Sequence, residues 1–519
     1  MPARPTEPLR VAVLVESLTV PEWVRWTLER LDALAGCDLT AVVPCTGADD
    51  RAAVGRDLRH LTYRLYGRVD ARVFGSAPAL EAADVSSIAA GRTGLAGIDA
   101  LDVVVSFLPV ERTTWAGPIP RHGVWAITPM DDGRALGAPD RFWELHRGSE
   151  TTATAVVALV GGRARVIARA AARADPLSLG RRRDAGAWEA ARLVLRSLRR
   201  LGRDAGGLLL GDDVAGPSDP PSPAVTVAHT ARTAAYGAAA RGRTAWRREE
   251  WFVAVRERSA DGRVHGPVRA LPNPPGRYLG DPFPIEVGGH HYLFVEDYSR
   301  AAGRASIAVL EAAGDGTWSP PHTVLECGHH LSYPFVFEHG GVIYMLPETG
   351  EAGRVELHRA LEFPGRWELD RVLLDGLTAV DATLHVDGDR LWLFANVVDG
   401  PGDRGELWLY SAASLDGEWR PHPRNPVVTD PGRARPAGRL FTRDGVLVRP
   451  GQDGSRRYGG AVVLNRVDLL SPSEYRETPV ERIDPDWMPG LVGTHTYTFD
   501  SRCECLDGIR RVRRVRLRR

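Results

Sequence analysis

Two different rhythms of apolar and polar residues run along this chain. In the first, short apolar runs alternate with stretches of helical spacing. Residues 9–15 (LRVAVLV) form a compact apolar run of strand length. Residues 21–34 follow, with Trp23, Val24, Trp26, Leu28, Leu31 and Leu34 close to a 3.6-residue period, and Pro21 suits a first helical turn. Residues 39–43, 101–108 (LDVVVSFL) and 123–127 give three more strands. Residues 185–201 (AGAWEAARLVLRSLRRL) read as an amphipathic helix. Strand, helix, strand with runs buried on both faces predicts a parallel sheet covered by helices.

The second rhythm begins near Trp251, where short strands are punctuated by glycine and aspartate. DPFPI at 281–285 precedes a Gly-Gly turn and HYLFVE at 291–296. YPFVF at 333–337, another Gly-Gly and IYMLPE at 343–348 repeat the pattern. DATLH at 381–385 with LWLFAN at 391–396 is a third copy, and AGRLF at 437–441 with VLVRP at 446–450 a fourth. A weaker fifth copy opens at Thr494-His495-Thr496-Tyr497. Anchors at 281, 333, 381, 437 and 494 recur about every 50 residues, the length of a propeller blade. The first two strands of each copy read as a hairpin. Trp318, Trp367 and Trp419 recur later in the copies as core residues. Residues 251–256 are placed to close the ring with the last blade. The chain is therefore read as a Rossmann-like parallel-sheet domain over 1–205, a linker or crossover over 206–249 (clearest at GPSDPPSP), and a five-bladed β-propeller over 250–519.

Composition narrows the chemistry. A length of 519 residues with 43% hydrophobic and 25% charged residues supports two large cores and argues against wholesale disorder. Zero formal net charge gives no global attraction to nucleic acid or membrane. Lysine is absent, which removes Schiff-base chemistry and a phosphate-loop lysine. Five cysteines, Cys37, Cys45, Cys327, Cys503 and Cys505, make no disulfide framework and no zinc-knuckle spacing. No apolar run is of membrane-span length, and a cytoplasmic location is the expectation. Arg510, Arg511, Arg513, Arg514, Arg516, Arg518 and Arg519 read as a solvated basic tail. No cofactor and no metal site is expected. The adjacent pairs His290-His291 and His329-His330 point to opposite faces of a strand.

In the first half, residues 102–107, 118–127 (PIPRHGVWAI) and 137–148 (GAPDRFWELHRG) resemble the core of the formyltransferase fold. That resemblance implies an Asn and a His on the strand where this chain has Ala126 and Thr128, and an Asp-x-Gly near Gly161-Gly162-Arg163. Alanine cannot hydrogen-bond a tetrahedral intermediate, and threonine cannot act as a base near neutral pH. The implied domain thus lacks its family's catalytic groups, with Asp131-Asp132 the only nearby substitutes. No G-x-G-x-x-G follows the first strand, so a dinucleotide site of that type is not expected.

In the second half the residue opening each blade's first strand points to the axis. Asp281, Tyr333, Asp381 and His495 hold that place, and Glu296, Glu348 and Asn396 end the second strands. Several carboxylates near one axis are costly unless paired, protonated or used. Five blades with an axial Asp-Pro start resemble glycoside hydrolases of families 43 and 32. The resemblance implies Asp281 as base or nucleophile and Asp381 as the orienting or tuning acid; the first-strand slot of the general acid holds Tyr333, so Glu348 or Glu296, from a second strand, would have to serve. Glu296, Tyr333, Asn396 and His495 are then expected to bind hydroxyls. The phrases DPFPIEVGGHHYLFVED, YPFVFEHGGVIYMLPET, DATLHVDGDRLWLFAN and GTHTYTF also resemble the N-terminal region of glucosamine inositolphosphorylceramide transferases and their bacterial relatives. In the plant proteins a separate domain is the recognised glycosyltransferase, so sugar chemistry is implied as context. Three expectations follow: a glycosyltransferase or glycoside hydrolase, a non-catalytic binder of a glycan or nucleotide sugar, and a divergent formyltransferase.

Overall fold

The computed structural model describes residues 7–45, 58–75, 77–131, 134–135, 141–160, 163–203, 221–259, 262–314, 316–401 and 406–513. The chain separates into two compact units, Met1–Ala240 and Arg241–Arg519.

The first unit is built on a seven-stranded sheet. Leu9–Val15 runs parallel to Cys37–Pro44 on one side and to Val103–Ser106 on the other, and Val124–Asp131 continues the parallel set. Thr151–Val160 and Arg163–Arg173 extend it as an antiparallel hairpin. The apolar run of the first strand is explained by burial on both faces. Val11, Val13 and Val15 pack with Trp26, Leu28, Trp188 and Val194, while Ala12 and Leu14 pack with Ala41, Leu101 and Val104. The helix read over 185–201 spans Leu179–Arg203. Asp70, on the helix Leu58–Phe74, caps its start by accepting bonds from the Ser178 hydroxyl (2.9 Å) and the Gly180 amide (2.8 Å). That cap, 108 residues away in sequence, was not readable from local spacing.

Ala126 and Thr128 are buried in this sheet, and the Thr128 hydroxyl donates to the carbonyl of Pro129. Asp132 and Gly161-Gly162 lie outside the described residues, as does the segment 204–220, which holds most of the expected linker. Within the crossover segment Pro223–Trp246 is a helix, and the propeller's first strand starts at Arg247.

The second unit is the five-bladed propeller. Four blades are four-stranded sheets with strands in sequence order: Arg277 to Leu325, Ser332 to Asp375, Thr378 to Pro421 and Phe441 to Ile483. The fifth is composite. Its inner strands, Leu491–Gly493 and Tyr497–Phe499, pair with Cys503–Arg513, which pairs in turn with Arg247–Arg258 and so brings in Val264–Ala270. The closing pair is in register from Arg247 opposite Arg513 to Glu257 opposite Cys503. Part of the expected basic tail is therefore sheet: Arg510 and Arg511 lie in this strand, 3.7 and 3.6 Å from Glu250 and Glu249. Residues 514–519 lie outside the described residues.

Candidate functional site

The repeat creates a special backbone position at the start of each of the first three blades. The ladder between first and second strands slips between Gly280 and Phe283, between Ser332 and Phe335, and between Val380 and Thr383. In each slip one residue adopts a left-handed conformation: Asp281 (φ 45°), Tyr333 (φ 44°) and Asp381 (φ 54°). A non-glycine residue held there costs on the order of 1–3 kcal/mol. The bulge re-aims each side chain toward the middle of the ring. In the fourth blade the place falls to Gly438 (φ 138°), where a Cβ would sit 2.1 Å from the carbonyl oxygen of Tyr497.

The second strands supply the complementary set. Glu296 pairs with Gly280, Glu348 with Ser332 and Asn396 with Val380. The fourth and fifth blades add Gln452 and Asp507. Every blade thus contributes one acid or amide from its second strand.

These groups form a hydrogen-bonded centre. Asp507 accepts the backbone amides of His495 (2.9 Å) and Thr496 (3.0 Å), and its other oxygen lies 2.6 Å from His495 Nδ1. Asp281 accepts the Thr496 hydroxyl (2.8 Å) on one oxygen and the Tyr333 amide (3.2 Å) on the other. Asp381 accepts two bonds from Arg435, through Nε and Nη2, and one from Gln452 (3.0 Å). Glu348 accepts the Ser332 hydroxyl (2.8 Å) and stands 3.9 Å from Arg435 Nη2. Trp251, delivered by the closing strand, stacks on His495 with ring centroids 4.0 Å apart, and Tyr458 meets the same ring edge-on.

Charge is unevenly balanced here. Asp281, Asp381, Asp507, Glu296 and Glu348 face two cations, Arg435 and His495. Burial raises the proton affinity of Asp281; Asp381 and Asp507 add to the effect and His495 opposes it. Burial likewise raises Asp381, against the pull of Arg435. Glu296 is raised well above an ordinary glutamate by burial and then by Asp281 and Glu348. Burial works against a charged His495, but Asp507 and Asp281 outweigh it and raise its pKa. Asp281, His495 and Asp507 also form the one group of three potential metal ligands found among the described residues, with ligand atoms within 4.8 Å of one another. Nδ1 of His495 already faces Asp507 at hydrogen-bond distance, so the trio reads as an acid–imidazolium–acid bridge.

The expected site residues converge, but their accessibility divides them. Asp281 is 4% exposed and Asp381 1%. Both have their oxygens occupied by protein donors, so neither is presented as a free base. Tyr333, Asn396 and His495, expected as hydroxyl binders, are buried. The Tyr333 hydroxyl is held between the Thr383 hydroxyl and the Gly438 amide, both at 2.8 Å, and so ties three blades together. Glu296 (9% exposed), Glu348, His330, Arg435 and Tyr458 remain within reach of a ligand. Arg435, Gln452, Tyr458, Thr496 and Asp507 were not legible as site residues. Asp507-Gly508 carries a turn signature, and Arg435 sits in RARPAG, which reads as a solvated loop.

Residues 268–485 match the family model described as glucosamine inositolphosphorylceramide transferase 1, N-terminal. The propeller resembles that N-terminal region. The protein of that name from Arabidopsis thaliana is 36% identical over 211 residues, covering 40% of this chain and 28% of that protein. The Oryza sativa subsp. japonica protein gives the same figures. The chain thus spans little more than a quarter of the length of these relatives. The match takes in Asp281, Glu296, His330, Glu348, Asp381 and Arg435 and stops short of His495 and Asp507. Among solved structures, Zg3597, a family 117 glycoside hydrolase of Zobellia galactanivorans, is 14% identical with a TM-score of 0.33, over 46% of this chain and 76% of that one. An exo-1,5-α-L-arabinanase from a bovine ruminal metagenomic library is 13% identical with a TM-score of 0.32, over 46% and 94%. The blade count stands on the strand pairing rather than on these superpositions.

Proposed function

We propose that this protein is carbohydrate-active: the propeller's axial site holds a sugar and acts on its glycosidic bond. The observation that carries this reading is the contrast within the carboxyl cluster. Asp281, Asp381 and Asp507 are locked by protein donors, while Glu296 and Glu348, at equivalent places in adjacent blades, keep 12% and 14% of their side-chain surface exposed. Glycosidic chemistry uses two carboxyl groups flanking the scissile bond. In this reading Asp281 and Asp381 set the field and hold the first strands in place, and Tyr458 and Arg435 bind the sugar. The likeness to a transferase named for glucosamine and inositolphosphorylceramide supports a sugar as ligand. A nucleotide sugar is the natural donor if the reaction is a transfer. The first unit, with buried Ala126 and Thr128 at the positions where formyl transfer needs Asn and His, serves as a non-catalytic partner domain.

A second reading, sugar binding without chemistry, is favoured by one observation: Asp281 and Asp381, the acids most visible in the sequence, are saturated with hydrogen bonds. A panel of aryl glycosides and nucleotide sugars separates the two, scored for binding by calorimetry and for turnover by product release. Turnover by the wild type that Glu348→Gln abolishes, with binding kept, supports the enzyme. Binding without turnover supports the second reading, and neither binding nor turnover rejects both.

A further inference from the structure

Gly280 and Ser332 are the residues that distinguish the surroundings of the two glutamates. They occupy the same place in the first and second blades, each directly opposite its glutamate. Ser332 donates a hydrogen bond to Glu348 at 2.8 Å, and Arg435 stands 3.9 Å from the same carboxyl group. Gly280 donates nothing. A Cβ there would lie 3.0 Å from Glu296 Oε2, so the bare glycine leaves room for the carboxyl group.

The Glu296 side chain makes no hydrogen bond to a described residue, and His330 faces it with Nε2 3.6 Å from Oε1. The tautomer of that histidine is fixed. The Ala305 amide donates to His330 Nδ1 at 3.2 Å, so the neutral ring carries its proton on Nε2, the atom that faces Glu296. Glu351 anchors the same loop by accepting the His330 backbone amide at 3.1 Å. Burial keeps the imidazole neutral, outweighing Glu351 and Asp281.

We propose that Glu296 is the proton donor of the axial site and that His330 is its positioning residue, directing the acidic proton onto Oε2. The inference rests on the carbohydrate reading above. With Nε2–H facing Oε1 at 3.6 Å, its positive end favours the bare oxygen there, so Oε1 serves as the carbonyl oxygen and Oε2 as the hydroxyl. In the reaction the Oε2–H bond breaks, the proton passes to the glycosidic oxygen, and the C–O bond cleaves with its electron pair on the departing oxygen. Water, or an acceptor hydroxyl, forms the new bond to the anomeric carbon and gives its proton to Glu348. Solvent exchange then returns one proton to Glu296 and removes one from Glu348. The groups facing Glu296 are Asp281 from its own blade, Glu348, Asp381 and Asp507 from three others, the Tyr278 and Tyr458 phenols, and neutral His330. Anions dominate this surround, as a carboxyl group that must keep its proton requires.

The test has two arms on the full chain. The first needs no substrate: infrared difference titration follows the carbonyl stretch of protonated carboxylic acids. A protonated acid that persists near neutral pH and vanishes in Glu296→Gln supports the inference, and ordinary carboxylate titration overturns it. His330→Gln, which can place an amide N–H near Oε1, should keep the wild-type titration. His330→Asn, which can meet only the Ala305 amide, should move it upward. Equal behaviour of the two variants overturns the role of His330. The second arm compares aryl glycosides with good and poor leaving groups. Glu296→Gln should lose about 10²–10⁴-fold on poor leaving groups and little on good ones. An equal loss on both, or none, overturns the proton-donor role. If the wild type turns over no glycoside, the carbohydrate reading fails, and the infrared arm still decides the state of Glu296.

Discussion

Replacing Arg435 by Met isolates the electrostatic logic of the centre. The guanidinium gives two hydrogen bonds to Asp381 and lies 3.9 Å from Glu348. Methionine matches much of its length and removes the charge. Asp381, 1% exposed, then keeps Gln452 as its donor and still faces Glu348. Removing one partner of a buried ion pair costs about 3–5 kcal/mol. For a domain of this size that lowers the melting temperature by roughly 6–20 °C, at about 2–4 °C per kcal/mol. The pH dependence gives the mechanism away. Burial and Glu348 raise the proton affinity of Asp381, and Arg435 and His495 oppose them. A carboxyl whose folded pKa is raised holds its proton longer in the folded than in the unfolded state, so stability falls as pH rises through that window. The Arg435→Met penalty should be largest at neutral pH and shrink as the medium is acidified. Adding Asp381→Asn should recover most of it. Near-UV circular dichroism melts of the wild type, both single variants and the double variant across pH would show this. A penalty independent of pH, or no recovery in the double variant, would refute the electrostatic account and leave packing as the cause.

Tyr333→Phe deletes the hydroxyl between Thr383 and the Gly438 amide and leaves that buried amide unsatisfied, a loss of about 1–3 kcal/mol measurable by urea unfolding. Gly438→Ala forces a methyl to 2.1 Å from the Tyr497 carbonyl oxygen and should abolish the folded propeller, read as loss of the near-UV signal; a native-like spectrum would contradict the close approach. His495, with its pKa raised by Asp507 and Asp281, stabilises the fold fully below its unfolded value near 6.5 and loses that contribution as pH rises through its folded value. His495→Gln should therefore flatten the alkaline side of the stability profile, and an unchanged profile would remove the imidazolium from the account.

The blades were legible because their first two strands are encoded locally. DPFPIEVGGHHYLFVED contains a bulge, two alternating strands and a Gly-Gly turn, and its repetition sets the period. Asp281, Tyr333 and Asp381 were aligned by that period, and the structure gives all three the same bulged backbone. What the sequence concealed was partnership. Whether an axial acid is free or saturated depends on residues from other blades, such as Thr496 for Asp281 or Arg435 for Asp381, more than 50 positions away. The first unit shows the same limit. The strand Leu9–Val15 was plain from its apolar run, whereas Asp70 as the cap of a distant helix carried no local signal.

The composite fifth blade also orders events during synthesis. Asp281 and Asp381 leave the ribosome with the first and third blades, but Thr496, His495 and Asp507 emerge only with the fifth. Until the strand Cys503–Arg513 finds Arg247–Arg258, the early carboxylates lack part of the scaffold that holds them, and Trp251 has no imidazole to cover. A nascent chain interrupted in its fourth blade contains most of the propeller's sequence but, of this bridge, only Asp281. The axial cluster is therefore complete only when the ring's two ends have met.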